Sequence, residues 1–342
     1  MTPIKIGLYG VTGYTGYELF QLLQHHPEMQ IKFITSERQA GKSLHLSWPN
    51  APQITLQSAE QADLDQVDCV FLCLPHTRSA DIASQAVSAG VNVIDLSADL
   101  RFTDPVNYEK WYHIAHPHPE LLPVPYGLPE LDRQHLHGAK VIANPGCYAT
   151  AMLLGLQPLA QQGLILSDTP VIVDAKSGAT GAGRTPMQNT LFSEVHGNLT
   201  PYNIGRAHRH LGEVEQQLAL CGMPAGQLVF TPHLLPTDRG ILAAIYAPVK
   251  DAVQAEKVIR EQYDQEPLVR LLPEGDLAAL AHVVRTPLAV ISLTAVGTNL
   301  LIVMVAIDNL LKGASSQAVQ NFNLMYGFPE TTGLLKDQGG VL

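Results

Sequence analysis

The stretch IKIGLYGVTGYTG, residues 4–16, decides the fold. An apolar run over 4–9 is typical of a buried strand, three glycines follow it at a spacing of three, and a helical pattern begins at Tyr14. Glycines between a first strand and a first helix let the backbone approach a pyrophosphate, whose charge the helix N-terminus favours. The alternative is a purely structural turn. We predict dinucleotide binding by Gly10, Thr12, Gly13, Tyr14, Thr15 and Gly16.

The same strand-to-helix pattern continues through the first 150 residues. Helical stretches, for instance over 14–25 and 80–89, alternate with short apolar runs. This alternation is typical of βαβ units in a parallel sheet. The predicted strands cover residues 4–9, 31–35, 67–74, 91–96 and 140–143.

The pattern of predicted helices and strands changes after residue 147. A helix over about 149–161 is followed by longer strand-like runs at 170–175, 227–235, 241–249 and 288–307. The last of these is free of charge over 20 residues, but its β-branched residues and its turn at 297–299 favour two strands over a membrane span. We predict an α/β protein: a Rossmann domain over 1–147, completed by a C-terminal helix over about 310–342, and an α+β catalytic and dimerisation domain over 148–309 with a mainly antiparallel sheet.

Composition excludes several classes of protein. The 342 residues include 21 Lys and Arg against 31 Asp and Glu, a net charge of −10, which disfavours nucleic-acid binding. Four scattered cysteines fit neither a disulfide framework nor a zinc site. No leader peptide is visible in MTPIKIGLYG. We therefore expect a cytoplasmic protein that binds neither membranes nor metals.

The end of the second predicted strand bears on cofactor choice. Here Ser36, Glu37 and Arg38 stand where a dinucleotide-binding domain meets the adenosine ribose. Ser36 and Arg38 are suited to a 2′-phosphate and favour NADP, whereas Glu37 alone favours NAD. An ordinary solvated loop remains a third interpretation.

Cys147 is the candidate nucleophile. It lies in NPGCYAT, residues 144–150, between a predicted strand and a predicted helix. A cysteine at a helix N-terminus meets unpaired N–H groups and the positive end of the helix dipole, which stabilise its thiolate. The alternative is a buried structural cysteine, which is the interpretation we adopt for Cys69 and Cys73.

A nucleophilic cysteine needs a partner that handles protons. His208 and His210 stand at the start of a predicted helix, and Glu213 is three residues from His210, so its carboxylate is placed to orient that imidazole. The sequence does not distinguish the two histidines. A His-x-His metal pair is disfavoured because no third ligand stands nearby.

Basic residues mark candidate anion sites. Lys176 and Arg184 flank a glycine-rich segment over 177–184, which is suited to a phosphate or a carboxylate. Arg101 is a further candidate for the substrate anion, and a solvated arginine is its alternative.

Several motifs together resemble the N-acetyl-γ-glutamyl-phosphate reductases. The resemblance spans nearly the whole chain and is specific as a set. The motifs are GYTG at 13–16, DLSADLRF at 95–102, YGLPE at 126–130, NPGCYAT at 144–150, KSGATGAGR at 176–184, HRH at 208–210 and QNFNLMYG at 320–327.

This resemblance implies a fold like those of aspartate-semialdehyde dehydrogenase and glyceraldehyde-phosphate dehydrogenase. It also implies NADP(H), a small acyl phosphate substrate reduced through a Cys147 thioester, a role in arginine biosynthesis, and a homodimer or homotetramer. By the same resemblance, Ser177, Gly178 and Asn309 meet the cofactor and Asn144 the substrate. Three alternatives stay open: a reductase of aspartyl phosphate, a reductase of carrier-bound aminoadipyl phosphate, and a non-catalytic NADP-binding sensor.

Overall fold

The chain divides into two compact units in a computed structural model that describes residues 2–336 and 340–341. Unit 1 takes the described residues up to Pro145 and those from Ala314 onwards. Unit 2 is the continuous segment Gly146–Gly313.

Unit 1 contains a five-stranded sheet in which every neighbouring pair is parallel. Its strands are β1 (Ile4–Tyr9), β2 (Met29–Ile34), β3 (Cys69–Leu72), β4 (Asn92–Asp95) and β5 (Val141–Ala143), in the spatial order β2-β1-β3-β4-β5. The helices between them are α1 (Tyr14–His25), α2 (Arg78–Ser88), α3 (Pro105–Tyr112) and α4 (Pro129–Asp132). The predicted parallel sheet of βαβ units is confirmed.

Unit 2 contains a seven-stranded sheet. Its strands are β6 (Val171–Gly178), β7 (Thr200–Pro201), β8 (Leu228–Leu235), β9 (Ile241–Pro248), β10 (Val269–Leu271), β11 (Ala289–Val296) and β12 (Leu300–Ile307). Its helices are α5 (Cys147–Gln161), α6 (Phe192–Val195), α7 (His210–Leu220) and α8 (Ala252–Tyr263). The order is β10-β11-β12-β9-β6-β8-β7, and only β10–β11 and β6–β8 are parallel. The predicted mainly antiparallel sheet is confirmed.

The uncharged segment over 288–307 forms the hairpin β11–β12. Gly297 lies in the turn with φ +60°, a conformation that side chains with a Cβ rarely adopt. Two strands are therefore confirmed there. Within the described part of the chain, none of the helices has the length and hydrophobicity that a membrane span requires.

The two faces of the unit 2 sheet differ. Helix α5 packs on one face so closely that a Cβ on Gly155 would lie 2.5 Å from Ile245 Cδ1. On the opposite face Ile172, Tyr246 and Val296 are 43%, 36% and 47% exposed, and the strand register puts all three on that same side. We call this surface, which Ile172, Tyr246 and Val296 mark, the open face.

The C-terminal part of unit 1 differs from its prediction. A π-helical turn over Leu311–Ser315 leads into α9 (Ser316–Tyr326), and Gly327 ends the helix with φ +74°. A short hairpin of β13 (Leu335–Lys336) and β14 (Gly340–Val341) follows. The expected helix over 310–342 is therefore too long, because glycine in a left-handed conformation stops it. Residues 337–339 and 342 of that expected helix lie outside the described residues.

Candidate active site

The glycine turn of unit 1 has the form that a pyrophosphate requires. Gly10 has φ +83°, and a Cβ there would lie 2.2 Å from the carbonyl oxygen of Cys73. A Cβ on Gly16 would lie 2.2 Å from the carbonyl oxygen of Gly10. Gly13 is the N-cap of α1, and no side chain caps the helix. The helix N-terminus therefore keeps its first N–H groups for an anion, and the residues present fit a dinucleotide.

The residues expected near the adenosine ribose separate into buried and exposed groups. Ser36 is buried, and its Oγ lies 2.8 Å from Thr12 Oγ1, which joins the end of β2 to the glycine turn. Glu37 accepts a hydrogen bond from the Ala59 N–H at 2.8 Å. Arg38 is exposed. One Glu37 carboxylate oxygen is thus engaged by the chain itself, whereas the Arg38 guanidinium is accessible to solvent.

Cys147 is the first residue of α5, as the nucleophile hypothesis requires. Gly146 is the N-cap with extended backbone, and no side chain caps this helix. Cys147 is half-buried. Its Cβ lies close against the backbone at Gly313, where an added Cβ would come within 2.8 Å of it. By contrast, burial raises the pKa of the Cys69 and Cys73 thiols, as expected for structural cysteines.

Glu213 has a contact that the sequence did not predict. Its side chain is buried, 1% exposed, and Oε1 accepts a hydrogen bond from the Gly146 N–H at 2.8 Å. The carboxylate therefore holds the residue that immediately precedes Cys147. Helix spacing alone had indicated only a contact with His210.

Asn144 and Arg101 are buried parts of unit 1. Asn144 is fully buried, and its amide donates to the Ala314 carbonyl at 3.1 Å and accepts from Asn321 at 2.9 Å. The Arg101 guanidinium donates to the carbonyl oxygens of Asn144, at 2.9 Å, and Leu96, at 2.8 Å. These bonds shape the turn before Pro145. The substrate-binding roles predicted for both residues stay predictions, and these bonds give both side chains a structural role as well.

His208 and His210 lie in different environments. The His208 ring is 7% exposed and lies 5.6 Å from the Tyr148 ring and 5.2 Å from the Phe230 ring. Burial, and then the charge of Arg209, lowers its pKa to about 4. His208 Nδ1 accepts the His210 N–H at 3.2 Å, so the neutral ring carries its proton on Nε2. His210 is half-buried at the start of α7.

The end of β6 opens the glycine-rich loop, which runs from Ser177 to Arg184. A Cβ on Gly178 would lie 2.6 Å from the backbone nitrogen of Arg239, so only glycine fits there. Asn309 is buried; its amide accepts the Gly240 N–H at 2.7 Å and donates to Thr180 Oγ1 at 3.0 Å. Asn309 thus ties the loop to the start of β9. The Asn309 side-chain amide, which was predicted to meet the cofactor, thus has two hydrogen-bond partners within unit 2, Gly240 and Thr180.

Lys176 lies on the wrong side of the sheet for the role predicted from sequence. Successive residues of a strand face opposite sides, so Ser177 points with α5 and Lys176 points with Ile172 to the open face. There the Lys176 ammonium pairs with Asp174. The substrate contact predicted for Lys176 is therefore corrected. Arg184, the last residue of the glycine-rich loop, is exposed.

Two tyrosines near the nucleophile were missed in the sequence. Tyr148 follows Cys147, and its ring lies 6.0 Å from the His210 ring. Tyr202 donates a hydrogen bond to the Tyr148 hydroxyl at 3.2 Å. Tyr148 could have been found from sequence, because it stands next to Cys147 in the NPGCYAT motif. Tyr202 could not, because it contacts Tyr148 from 54 residues further along the chain.

No cluster of metal-ligating side chains occurs in residues 2–336.

Two family models match the chain. A model described as "Semialdehyde dehydrogenase, NAD binding domain" matches residues 5–139. A second, described as "Semialdehyde dehydrogenase, dimerisation domain", matches residues 147–309. Unit 1 is therefore an NAD(P)-binding domain, and the predicted dinucleotide cofactor is confirmed.

The same fold occurs in solved structures. Aspartate semialdehyde dehydrogenase II of Vibrio cholerae, complexed with ASA, superimposes with a TM-score of 0.73 at 19% identity and covers 95% of this chain and 98% of that chain. The Candida albicans aspartate semialdehyde dehydrogenase with NADP gives a TM-score of 0.70 at 17% identity over the same shares. At these identities the likeness establishes the fold alone, and the predicted fold class is confirmed.

Sequence relatives are closer. The N-acetyl-gamma-glutamyl-phosphate reductase of Desulforudis audaxviator is 45% identical over 346 residues, and that of Citrifermentans bemidjiense is 44% identical over 340. In both cases the match covers 97% of this chain and 98% of the relative. The resemblance seen in the motifs is confirmed: the chain belongs to the N-acetyl-γ-glutamyl-phosphate reductase family of oxidoreductases, with the semialdehyde dehydrogenase fold.

Proposed function

We propose that this chain reduces N-acetyl-γ-glutamyl phosphate to N-acetylglutamate γ-semialdehyde and phosphate with NADPH, a reaction of arginine biosynthesis. The observation that carries the proposal is Cys147 at the first position of α5, with the buried Glu213 carboxylate holding Gly146 before it. Relatives named for this reaction are 41–45% identical to the chain.

Cys147 performs the group transfer. Its thiolate forms a bond to the acyl carbon and expels phosphate, which leaves a thioester. When bound, NADPH supplies the hydride that reduces the thioester carbon. Cys147 departs as a thiolate when the aldehyde forms and so returns to its starting state. The Cys147 N–H, at the first position of α5, donates to the oxyanion that develops before each departure.

His210 is the acid–base residue in this proposal. His208 is held neutral by burial, and its Nδ1 is engaged by the His210 N–H, so His208 supports the site. The half-buried His210 accepts the thiol proton of Cys147 and stabilises the oxyanion by returning a proton or donating a hydrogen bond. Glu213, which lies on the same helix as His210, holds Gly146 in the turn before Cys147. In this proposal it thereby keeps the base and the nucleophile in position.

NADP(H) fits the chain's own residues better than NAD(H) does. The glycine turn over 10–16 holds the pyrophosphate, and Ser36 and Arg38 hold the 2′-phosphate, since one Glu37 carboxylate oxygen is engaged by the Ala59 N–H. In unit 2, Ser177 and Gly178 contribute to the cofactor site. Arg184 meets an anionic group of the substrate.

We further propose a cytoplasmic homo-oligomer, a dimer or tetramer, that associates through the open face. Isolated soluble proteins rarely expose large contiguous apolar patches, and an apolar sheet face is suited to pairing with a second copy. The net charge of −10 disfavours nucleic acid as a partner.

The neutral state of His208 can be read directly by NMR. Because burial lowers its pKa to about 4, its ring resonances will stay constant as the pH falls from 8 to 5. The exposed His135, whose pKa Asp132 raises, takes up its proton at a higher pH than His208 does and is the internal reference. The unfolded chain takes up a proton near pH 6.5, so His208 lowers stability as the pH falls from there towards 4. Titration of His208 near 6.5 would contradict its supporting role.

Cofactor choice is tested at Arg38. Replacing it (Arg38→Gln) removes the charge proposed to meet the 2′-phosphate, so the Kd for NADP rises about tenfold and that for NAD stays constant. Fluorescence titration with both nucleotides measures this. Arg270→Gln, an exposed arginine on β10, is the matched control. Equal weakening of both nucleotides by Arg38→Gln would show that Arg38 does not read the 2′-phosphate.

Self-association is tested at the centre of the open face. A charge buried in an apolar interface is strongly unfavourable, so Tyr246→Glu reduces the mass measured by light scattering from that of the oligomer to that of a smaller species. Val253→Glu, at a residue 77% exposed on α8, leaves the mass unchanged. An oligomer that survives Tyr246→Glu intact assembles through a different surface.

The reaction is tested in its reverse direction, as phosphate-dependent reduction of NADP with N-acetylglutamate γ-semialdehyde. Cys147→Ser lowers turnover by about 10³-fold or more, because the covalent step is lost, and leaves NADP binding intact. Cys221→Ser is the control, since burial raises the pKa of that thiol.

Other outcomes of this assay separate the alternatives. Turnover with aspartate semialdehyde alone would keep the mechanism and remove the substrate assignment. No turnover with either aldehyde would indicate a carrier-bound substrate. NADP binding without turnover of any substrate would indicate a sensor. Full activity of Cys147→Ser would exclude the thioester mechanism.

A further inference from the structure

Thr77 in unit 1 has a backbone conformation that threonine rarely adopts. It stands between β3 and α2 as the N-cap of α2, with φ +71° and ψ −45°. For a β-branched residue a positive φ is an outlier. Such a conformation costs free energy and persists only where the surrounding structure enforces it, which happens most often at functional sites.

The buried carboxylate of Asp99 enforces this conformation. Asp99 is 0% exposed, and its Oδ1 accepts a hydrogen bond from the Thr77 N–H at 2.8 Å. Its Oδ2 accepts the N–H of Ala80, in the first turn of α2, at 2.9 Å. The Thr77 side chain makes no capping bond. The Asp99 carboxylate therefore caps α2 from a distant part of the chain and fixes the Thr77 backbone at its N–H.

Asp99 is itself held in place by a second buried side chain. The hydroxyl of Tyr108, which is 0% exposed, donates to Asp99 Oδ1 at 2.9 Å. The neighbouring Asp95, the last residue of β4, accepts a hydrogen bond from the Ser79 hydroxyl in the first turn of α2. Both carboxylates of the DLSADLRF motif thus bind the start of α2.

The residues that lead to Thr77 lie beside the glycine turn. Residues 73–77 continue from β3, which pairs in parallel with β1. A Cβ on Gly10 would lie 2.2 Å from the carbonyl oxygen of Cys73, so the connections that follow β1 and β3 are in close contact. We call residues 73–77 the crevice segment.

The strand order explains this name. The chain passes from β1 to β2 on one side and then to β3 on the other side, so the strand order reverses between β1 and β3. In open α/β sheets a dinucleotide binds in the crevice outside the carboxyl ends of the strands at such a point. The crevice segment therefore forms one wall of the cofactor site in unit 1.

The crevice segment lies on the nicotinamide side of that site. Ser36 and Arg38, proposed to hold the 2′-phosphate of the adenosine half, follow β2. The glycine turn, proposed to hold the pyrophosphate, follows β1. Strand β3 is the neighbour of β1 on the side opposite β2. A cofactor that runs from β2 across β1 therefore has its nicotinamide riboside at the end of β3.

We propose that Asp99 is a positioning residue for the cofactor: it enforces the strained backbone of Thr77 and so sets the crevice segment against the nicotinamide riboside of NADP(H). Asp99 acts through Thr77, because Asp99 is fully buried whereas Thr77 is half-buried and keeps part of its surface accessible. The inference rests on the cofactor orientation of the proposed function and not on the acyl substrate.

The test compares two ligands in titrations of the full-length protein. NADPH carries the nicotinamide riboside, and adenosine 2′,5′-bisphosphate lacks it. Asp99→Asn replaces one accepting oxygen by an NH2 group, so the start of α2 loses a bond to this side chain. The Kd for NADPH then rises about fivefold, while the Kd for adenosine 2′,5′-bisphosphate stays constant.

Thr77→Gly tests whether the strained backbone carries the effect. Glycine adopts a positive φ without strain, so Thr77→Gly alone leaves the Kd for NADPH close to that of the wild type. Asp99→Asn in the Thr77→Gly background then raises the Kd less than it does in the wild type, because the two residues act through one conformation. Equal effects of Asp99→Asn in both backgrounds would overturn the inference.

Thr77→Pro is the second variant, for the case that Asp99→Asn does not fold. Proline fixes φ at about −65° and has no N–H, so it removes both the positive φ and the bond to Asp99 without changing the buried carboxylate. The Kd for NADPH rises at least as much as in Asp99→Asn. A folded Thr77→Pro protein that binds NADPH like the wild type would contradict the proposal.

The matched control is Asp104→Asn. Asp104 is another carboxylate of unit 1 that caps a helix, since its Oδ1 accepts the N–H groups of Val106 and Asn107 at the start of α3. This variant leaves the Kd of both ligands unchanged. If Asp99→Asn lowers Tm without changing the Kd for NADPH, or weakens both ligands equally, Asp99 only stabilises the fold and the inference is overturned.

Failure of the proposed reaction would be seen separately. Both titrations need no acyl substrate, so they report on Asp99 even if the wild-type protein shows no turnover with N-acetylglutamate γ-semialdehyde. Wild-type turnover together with unchanged NADPH binding in Asp99→Asn and Thr77→Pro would overturn the inference and leave the reaction standing.

Discussion

The candidate chemistry depends on one hydrogen bond, from the Gly146 N–H to the buried carboxylate of Glu213. A helix begins with N–H groups that lack partners within the helix, and here neither Gly146 nor its neighbours supply a capping side chain. Glu213 reaches that end from α7, 67 residues along the chain. The candidate nucleophile, Cys147, thereby follows a residue that a buried carboxylate holds in place.

Close backbone contact is the second recurring constraint. Glycine is required at Gly10 and Gly16 in unit 1, where a Cβ would meet a carbonyl oxygen, and at Gly178 in unit 2, where it would meet Arg239. Each close approach brings a turn near a proposed ligand site. In both units the absence of a side chain allows the close contact. In unit 1 it shapes the turn proposed to hold the pyrophosphate, and in unit 2 it shapes the start of the glycine-rich loop.

The accuracy of the sequence-based predictions follows the range of the interactions involved. Strand β1 and helix α1 were predicted with their observed bounds because apolar periodicity and glycine spacing act locally. Cys147 was placed at a helix start for the same reason. Lys176 was misjudged, since basic residues beside a glycine-rich segment do not reveal which side of a strand faces the helix layer. The C-terminal helix was drawn too long because Gly327 was not recognised as its end.

The sequence by itself determined the family, the fold class, the glycine turn and the position of Cys147 at a helix start, because these depend on residue types at short, regular spacings. Only the tertiary structure decided which partners the polar side chains near the candidate site have. Asn144 and Arg101 bond to the chain in unit 1, Asn309 to the glycine-rich loop, and His208 lies neutral in an aromatic pocket. These contacts are set by burial and by residues distant in sequence, since a polar group excluded from water must bond to whatever the fold brings beside it.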